Sequence, residues 1–175
     1  MKTDIKTQLK NSIKDFHLPR YKDLPDVGLY LEQTVKYINQ QLKPLGCIEI
    51  TGSMIRNYVK QKFISNPIKK QYYADQIGYL ICITLLKQTA PLEEINKLFL
   101  RQKKIYTNQV AYDYFCTEIE NVLFHRFGLK DSIDDIGVTS SIEKEMLRSA
   151  ITAVSHMIYL DACFKLLAQE EEPEK

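Results

Sequence analysis

Ser53, Arg56, Asn57 and Lys60 fall at offsets 0, 3, 4 and 7 within TGSMIRNYVK, a spacing that gathers four polar side chains on one side of a helix. Their chemistry is that of base and phosphate reading. Arginine can donate two bonds to a guanine edge, asparagine can pair with an adenine edge, and serine can serve either. Ser53, Arg56 and Asn57 are therefore the candidate base-contacting residues. Lys60, Lys62, Lys69 and Lys70 are candidates for backbone phosphates, together with the hydroxyls of Thr51, Tyr58 and Tyr72. Such contacts supply affinity without sequence information. A basic helix face is also commonly no more than a solvated one, and Tyr58 suits an apolar core equally well.

The charge around these residues is segregated. Residues 51–73 carry five basic side chains and no acidic one, in a 175-residue chain of net charge +2. Over residues 51–104 the count is ten Lys or Arg against three Asp or Glu, a net of +7 that leaves the remainder at −5. A local excess of this kind is what a phosphate-facing surface requires. Hydrophobic residues make up 45% of the chain and charged residues 26%, ordinary globular usage that excludes wholesale disorder. Only the closing QEEEPEK reads as a frayed tail.

The elements that must position the basic residues follow from apolar spacing. Ile5, Leu9, Ile13 and Phe16 predict a short first helix closed by Pro19. In VGLYLEQTVKYINQQL a second helix places Leu31, Val35, Ile38 and Leu42 on one face and ends before Pro44 and Gly46. Thr51 stands where an N-cap belongs, and the short helix it starts has Met54, Ile55, Tyr58 and Val59 as its inner face. Pro67 ends that segment, and PIKKQYY reads as a brief extended or turn stretch. A buried helix then runs from Asp75, taken as its cap, through DQIGYLICITLLKQ. Pro91 opens another, with Glu93 and Glu94 at its start and Arg101, Lys103 and Lys104 at its end, the order the helix dipole favours. Two longer helices are predicted at about 108–127 and 141–168, the second capped by Ser140 with Glu143. No β-rich region is expected.

The order TGSMIRNYVKQKFISNPIKKQYY, DQIGYLICITLLK, PLEEINKLF resembles the DNA-binding domain of MerR-type regulators. In that family a helix with an (T/S)xxxIRxY pattern precedes a short link, a wing with a basic residue and a tyrosine, a buried helix and a helix beginning SLEEI. Ser53, Ile55, Arg56, Tyr58, Lys62, Phe63, Ile64, Pro67, Tyr72, Leu92, Glu93, Glu94 and Ile95 fall at matching places. The sequence is more similar still to a bacterial family of MerR-like helix-turn-helix proteins in which TxxMIxNYVK, a proline-plus-lysines link and a tyrosine recur together. The resemblance covers roughly residues 24–100. It implies an all-α protein, with an N-terminal helix and a MerR-like helix-turn-helix domain over 1–104, then a helical dimerisation or effector region over 105–175. It further implies a dimeric, sequence-specific regulator of transcription that reads duplex DNA with the helix around 52–61 in the major groove, under an unidentified small-molecule effector. Two departures stand out: PIKKQYY leaves room for only a minimal wing, and KPLGCIEI is longer than a minimal helix-turn-helix turn.

In the C-terminal part, Val110, Tyr114, Ile119, Val122 and Phe127 mark one apolar side of a helix. IEKEMLRSAITAVSHMIYLDACFKLLA is apolar nearly all round, so it must be buried in its own bundle or against a second subunit. His125, His156, Asp113, Asp161 and Cys116 show no HxxxH or CxxC spacing, so no metal or other cofactor is expected, and His156 reads as a core residue. No nucleophile-base pair or Gly-rich phosphate loop suggests an enzyme. Cys47, Cys82, Cys116 and Cys163 read as buried thiols of a reducing compartment. The charged N-terminal MKTDIKTQLKNSIKDF reads as no secretory signal, and no apolar run reaches the ~20 residues of a bilayer span. The expected location is the cytoplasm, with no membrane partner. The competing reading is an all-helical protein-interaction module that does not bind DNA.

Overall fold

The computed structural model describes residues 4–137 and 139–171. Among these are seven helices, α1 (Ile5–Ile13), α2 (Leu31–Leu42), α3 (Gly52–Lys60), α4 (Ala74–Leu86), α5 (Leu92–Lys103), α6 (Asn108–Arg126) and α7 (Ile142–Glu171). Two strands of two residues each, β1 (Leu29–Tyr30) and β2 (Gln71–Tyr72), pair antiparallel with Leu29 opposite Tyr72 and Tyr30 opposite Gln71. The fold is all-α apart from that pairing, which the apolar periodicity did not foretell. The helix expected from Val27 starts at Leu31 because Leu29 and Tyr30 are extended and engage β2.

Local chemistry sets the helix starts. The backbone N–H of Tyr30 donates to Gln33 Oε1 at 2.9 Å, and that of Tyr73 donates to Gln76 Oε1 at 2.9 Å. Both glutamines thus satisfy a donor just ahead of the first helical turn. Asp75 is not the cap of α4; it lies in the first turn and accepts the Tyr21 hydroxyl at 2.7 Å. For α7 the capping hydroxyl belongs to Ser141 rather than Ser140, accepting the Lys144 N–H at 3.2 Å, while Glu143 pairs with Arg101 of α5 at 2.5 Å. α1 stops at Ile13, although Phe16 beyond it is buried.

One contiguous cluster of buried apolar side chains runs from Leu9 in α1 to Ile158 in α7. α4 lies at its centre with Ile77, Leu80, Ile81, Ile83, Leu85 and Leu86 all buried. Against it pack α2, α5, α6 and α7, the last two as a pair. Glu120 of α6 staples the N-terminal segment to this bundle: it takes Arg20 Nη1 and Nη2 at 3.0 and 2.5 Å and the Leu18 N–H at 3.0 Å. Glu118, fully buried, pairs with Arg148 of α7.

The C-terminal helices differ from expectation on their outer sides. Val110 is exposed, as are its neighbours Asn108 and Gln109 in the first turn of α6. α7 buries Leu147, Ile151, Val154 and Ile158 on one stripe, but leaves Leu160, Phe164 and Leu167 in solvent, with Phe164 66% exposed. His156 is on that outer side too, not in the core. By length and composition alone, with an 18-residue window at mean hydropathy 1.3, α7 is long and apolar enough to cross a membrane, contrary to the expectation that no segment was. Of the tail expected to fray from Gln169, residues 169–171 continue α7 and residues 172–175 lie outside the described residues.

Candidate nucleic-acid interface

α3 begins where it does because Thr51, in extended conformation, turns its hydroxyl back to accept the Met54 N–H at 3.2 Å. The helix is nine residues long, about 14 Å at ~1.5 Å per residue. Ile55 and Tyr58 seat it on the core, so Ser53, Arg56, Asn57 and Lys60 all face solvent, as their spacing predicts. Met54 does not belong to the inner face: it is exposed, and its Sδ accepts Lys87 Nζ at 3.2 Å.

Three devices fix this helix, the half-buried Asn39, the buried Gln76 and the exposed turn at Gly46, and none is visible in charge or periodicity. Asn39 of α2 donates through Nδ2 to the Ile50 carbonyl and accepts the Ile50 N–H through Oδ1, each at 2.8 Å. The side chain thereby imitates a strand partner for the chain entering α3. Gly46, at φ +77° in the turn after α2, occupies the left-handed region that a side chain disfavours. On the far side of α3, Gln76 Nε2 donates to the carbonyls of Ser65 and Asn66, both at 3.1 Å, pinning the link that leaves the helix.

That link ends in a tight hairpin. Ile68 and Gln71 exchange two backbone bonds of 2.9 Å around Lys69 and Lys70, whose φ values are +49° and +66°. A two-residue loop with both central residues at positive φ is a type I′ turn, whose favoured pair is Asn-Gly. Two lysines at this tip carry backbone strain on the order of 1 kcal/mol or more each. Lys62, just after α3, is held at φ +61° as well. β2 then pairs with β1, and Gly28 lets the two approach: a Cβ there would lie 2.7 Å from Gln71 Cβ and 2.8 Å from Tyr73 Cζ.

The structure brings the candidates together selectively. Thr51, Ser53, Arg56, Asn57, Lys60, Lys62, Lys69 and Lys70 are all exposed. Tyr58 and Tyr72 are 3% and 4% exposed, so they support the face from beneath, and their expected role at phosphates is withdrawn. Burial pushes the Tyr72 phenol above its ordinary pKa, and the positive charge of Arg56 opposes the rise. Asn57 Oδ1 accepts Gln61 Nε2 at 3.2 Å, leaving its amide nitrogen outward.

Pairing divides the basic residues of 51–104. Lys87 is half-buried against the start of α3, where desolvation lowers its pKa. Lys97 meets Glu93 and Glu94, and Arg101 meets Glu143. Arg56, Lys60, Lys62, Lys69 and Lys70 have no ion pair or hydrogen-bond partner among the described residues. No group of three or more His, Cys, Asp or Glu side chains among the described residues is placed to hold a metal ion. Cys82 and Cys116 are buried as expected, whereas Cys47 is exposed and Cys163 half-buried.

Together, α2, α3, the lysine-tipped hairpin and α4 make a helical unit with one outward side that is basic and unpaired. The chain belongs to the DUF1836 family, a domain of unknown function, whose sequence profile matches residues 19–115, more than half of its length. That span holds all of the candidate residues and the elements that seat them. No curated protein and no solved structure matches the chain.

Proposed function

We propose that this protein is a cytoplasmic, dimeric, MerR-like transcription regulator that binds duplex DNA through α3 and the hairpin beyond it. The observation that carries the reading is the set of five unpaired cations, Arg56, Lys60, Lys62, Lys69 and Lys70, two of them at a hairpin tip whose backbone strain favours other residues. Strain kept at a surface tip, where packing does not demand it, argues for the side chains it presents. A helix of this length and diameter enters a major groove about 12 Å wide. Ser53, Arg56 and Asn57 then meet base edges, while Thr51, Lys60, Lys62, Lys69 and Lys70 lie along the phosphates. The hairpin serves as a minimal wing.

A second copy of the chain would cover Leu160, Phe164 and Leu167, which recur at i, i+4 and i+7 on the exposed side of α7. A two-fold dimer reads half-sites about one helical turn apart. Chemistry on a substrate has no part in this reading, and residues 1–104 and 105–175 divide the work between DNA and dimerisation.

The test is fluorescence anisotropy on a duplex obtained by selection. Arg56→Ala should cost about 1–3 kcal/mol at one base position. Lys69→Ala should weaken all duplexes alike and lower the salt slope by about one phosphate. Indistinguishable behaviour of the two variants contradicts these roles, and no binding at all supports an interaction module instead.

A further inference from the structure

Beside the basic face, a cavity of about 850 Å³ opens between the end of α3, α4, α5 and the start of α6. Its size is within the ~300–1,000 Å³ of small-molecule sites. The lining is mixed: an apolar part comes from four elements, with Val59 and Phe63 around the end of α3, Tyr79 and Cys82 from α4, Phe99 from α5 and Phe115 from α6, and polar side chains such as Asn66, Gln76 and Asn96 stand beside it. Cys82, Phe99 and Phe115 are buried and form the cavity floor, with the half-buried Phe63 and Tyr79 beside them. Ala74 and Ala111 on the walls leave room that larger residues would fill.

The charge at this cavity is one-sided. Lys60, Lys62 and Lys103 line it against a single carboxylate, Asp75, which is already bonded to the Tyr21 hydroxyl. Lys60 and Lys62 have no ion pair among the described residues, and Lys103 Nζ lies 5.6 Å from the centroid of the Tyr79 ring. An apolar floor with three cations in the lining complements a molecule with an apolar body and one negative head. A neutral apolar molecule would leave the lysines unused, and a small inorganic anion would leave the floor empty.

We propose that this cavity binds an amphipathic organic anion, its hydrocarbon body against Phe63, Tyr79 and Leu100 over the buried Phe99 and Phe115, and its anionic head met by the lining lysines Lys60, Lys62 and Lys103. The site stands without the DNA reading. If that reading also holds, the ligand and the DNA backbone draw on the same Lys60 and Lys62, so occupancy of the cavity opposes DNA binding.

The experiment uses the full chain and no DNA, so its outcome is separate from that of the DNA reading. Anilinonaphthalene sulfonate, itself an aromatic anion, is titrated by fluorescence and then displaced with dodecanoate or with dodecyltrimethylammonium. Saturation at one probe per chain is expected, with displacement by dodecanoate and not by the cation of equal chain length. Lys103→Glu, at an exposed position, should weaken dodecanoate about tenfold, equivalent to ~1.4 kcal/mol. Ala111→Trp should abolish binding by filling the wall while leaving every charge in place, with helicity checked by circular dichroism. Unsaturable fluorescence, equal displacement by both surfactants, or wild-type affinity in Lys103→Glu overturns the proposal.

Discussion

Replacing Lys69-Lys70 by Asn-Gly separates what the hairpin tip does for the fold from what it is proposed to do for DNA. Both lysines sit at positive φ, +49° and +66°, in a loop closed by two 2.9 Å backbone bonds. Glycine adopts that conformation without steric penalty and asparagine at reduced cost. Relief at the two positions, less the extra freedom glycine gives the unfolded chain, comes to about 1–2 kcal/mol of added stability. For a chain of this size that is a rise in melting temperature of roughly 2–8 °C. The same change removes two cations that have no partner among the described residues. If both lie at phosphates, the slope of log affinity against log salt falls by about 1.8. Urea denaturation followed by circular dichroism reads the first quantity, and anisotropy on a fixed duplex over a salt series reads the second. The expected result is a more stable protein that binds DNA more weakly. Lower stability would refute the strain argument; higher stability with an unchanged slope would refute the assignment of these lysines to phosphate.

The devices under the face and the buried groups of the core give three further expectations. Asn39→Ala leaves the Ile50 N–H and C=O unpartnered and should destabilise the protein by about 1–3 kcal/mol, read as a shift in the urea midpoint. Gly28→Ala must displace Gln71, because the new Cβ would lie 2.7 Å from its Cβ; proteolysis at the hairpin should speed up and DNA affinity fall although no cation is lost. Burial holds the Cys116 thiol up at about 12, well above an unfolded thiol near ~8.5. The unfolded chain therefore binds fewer protons than the folded one from that lower value upward, so this contribution is intact at neutral pH and is lost as pH rises towards about 12. Denaturation midpoints measured from pH 7 to 11 should fall more steeply in wild type than in Cys116→Ala.

The outward side of α3 was legible because one rule governed it: polar residues at offsets 0, 3, 4 and 7 must share a side when the alternate side, Ile55 and Tyr58, has to be buried. The buried character of α4 was legible for a similar reason, since nearly every position in it is apolar. What charge and periodicity could not supply is the seat of the helix. Asn39 and Gln76 are polar residues on helices, and their bonds to Ile50, Ser65 and Asn66 are set by tertiary approach. Strand pairing at Leu29–Tyr30 was hidden because two residues are too few for an alternating pattern. Tyr72 was misassigned by its position in a basic stretch, where the fold turns the ring inward. The lysine hairpin had no turn signature of the Asn-Gly kind, and for that reason its strain became visible only in the backbone angles.

DNA reading by the unpaired basic side is open to direct measurement. Its most direct test is selection and sequencing of random-sequence duplexes bound by the purified full chain at two salt concentrations. Enrichment of a palindromic motif with half-sites about one helical turn apart is expected, with an affinity that drops steeply between the two salts. Binding without enrichment would contradict base reading by Ser53, Arg56 and Asn57, and absence of binding at either salt would contradict DNA reading altogether.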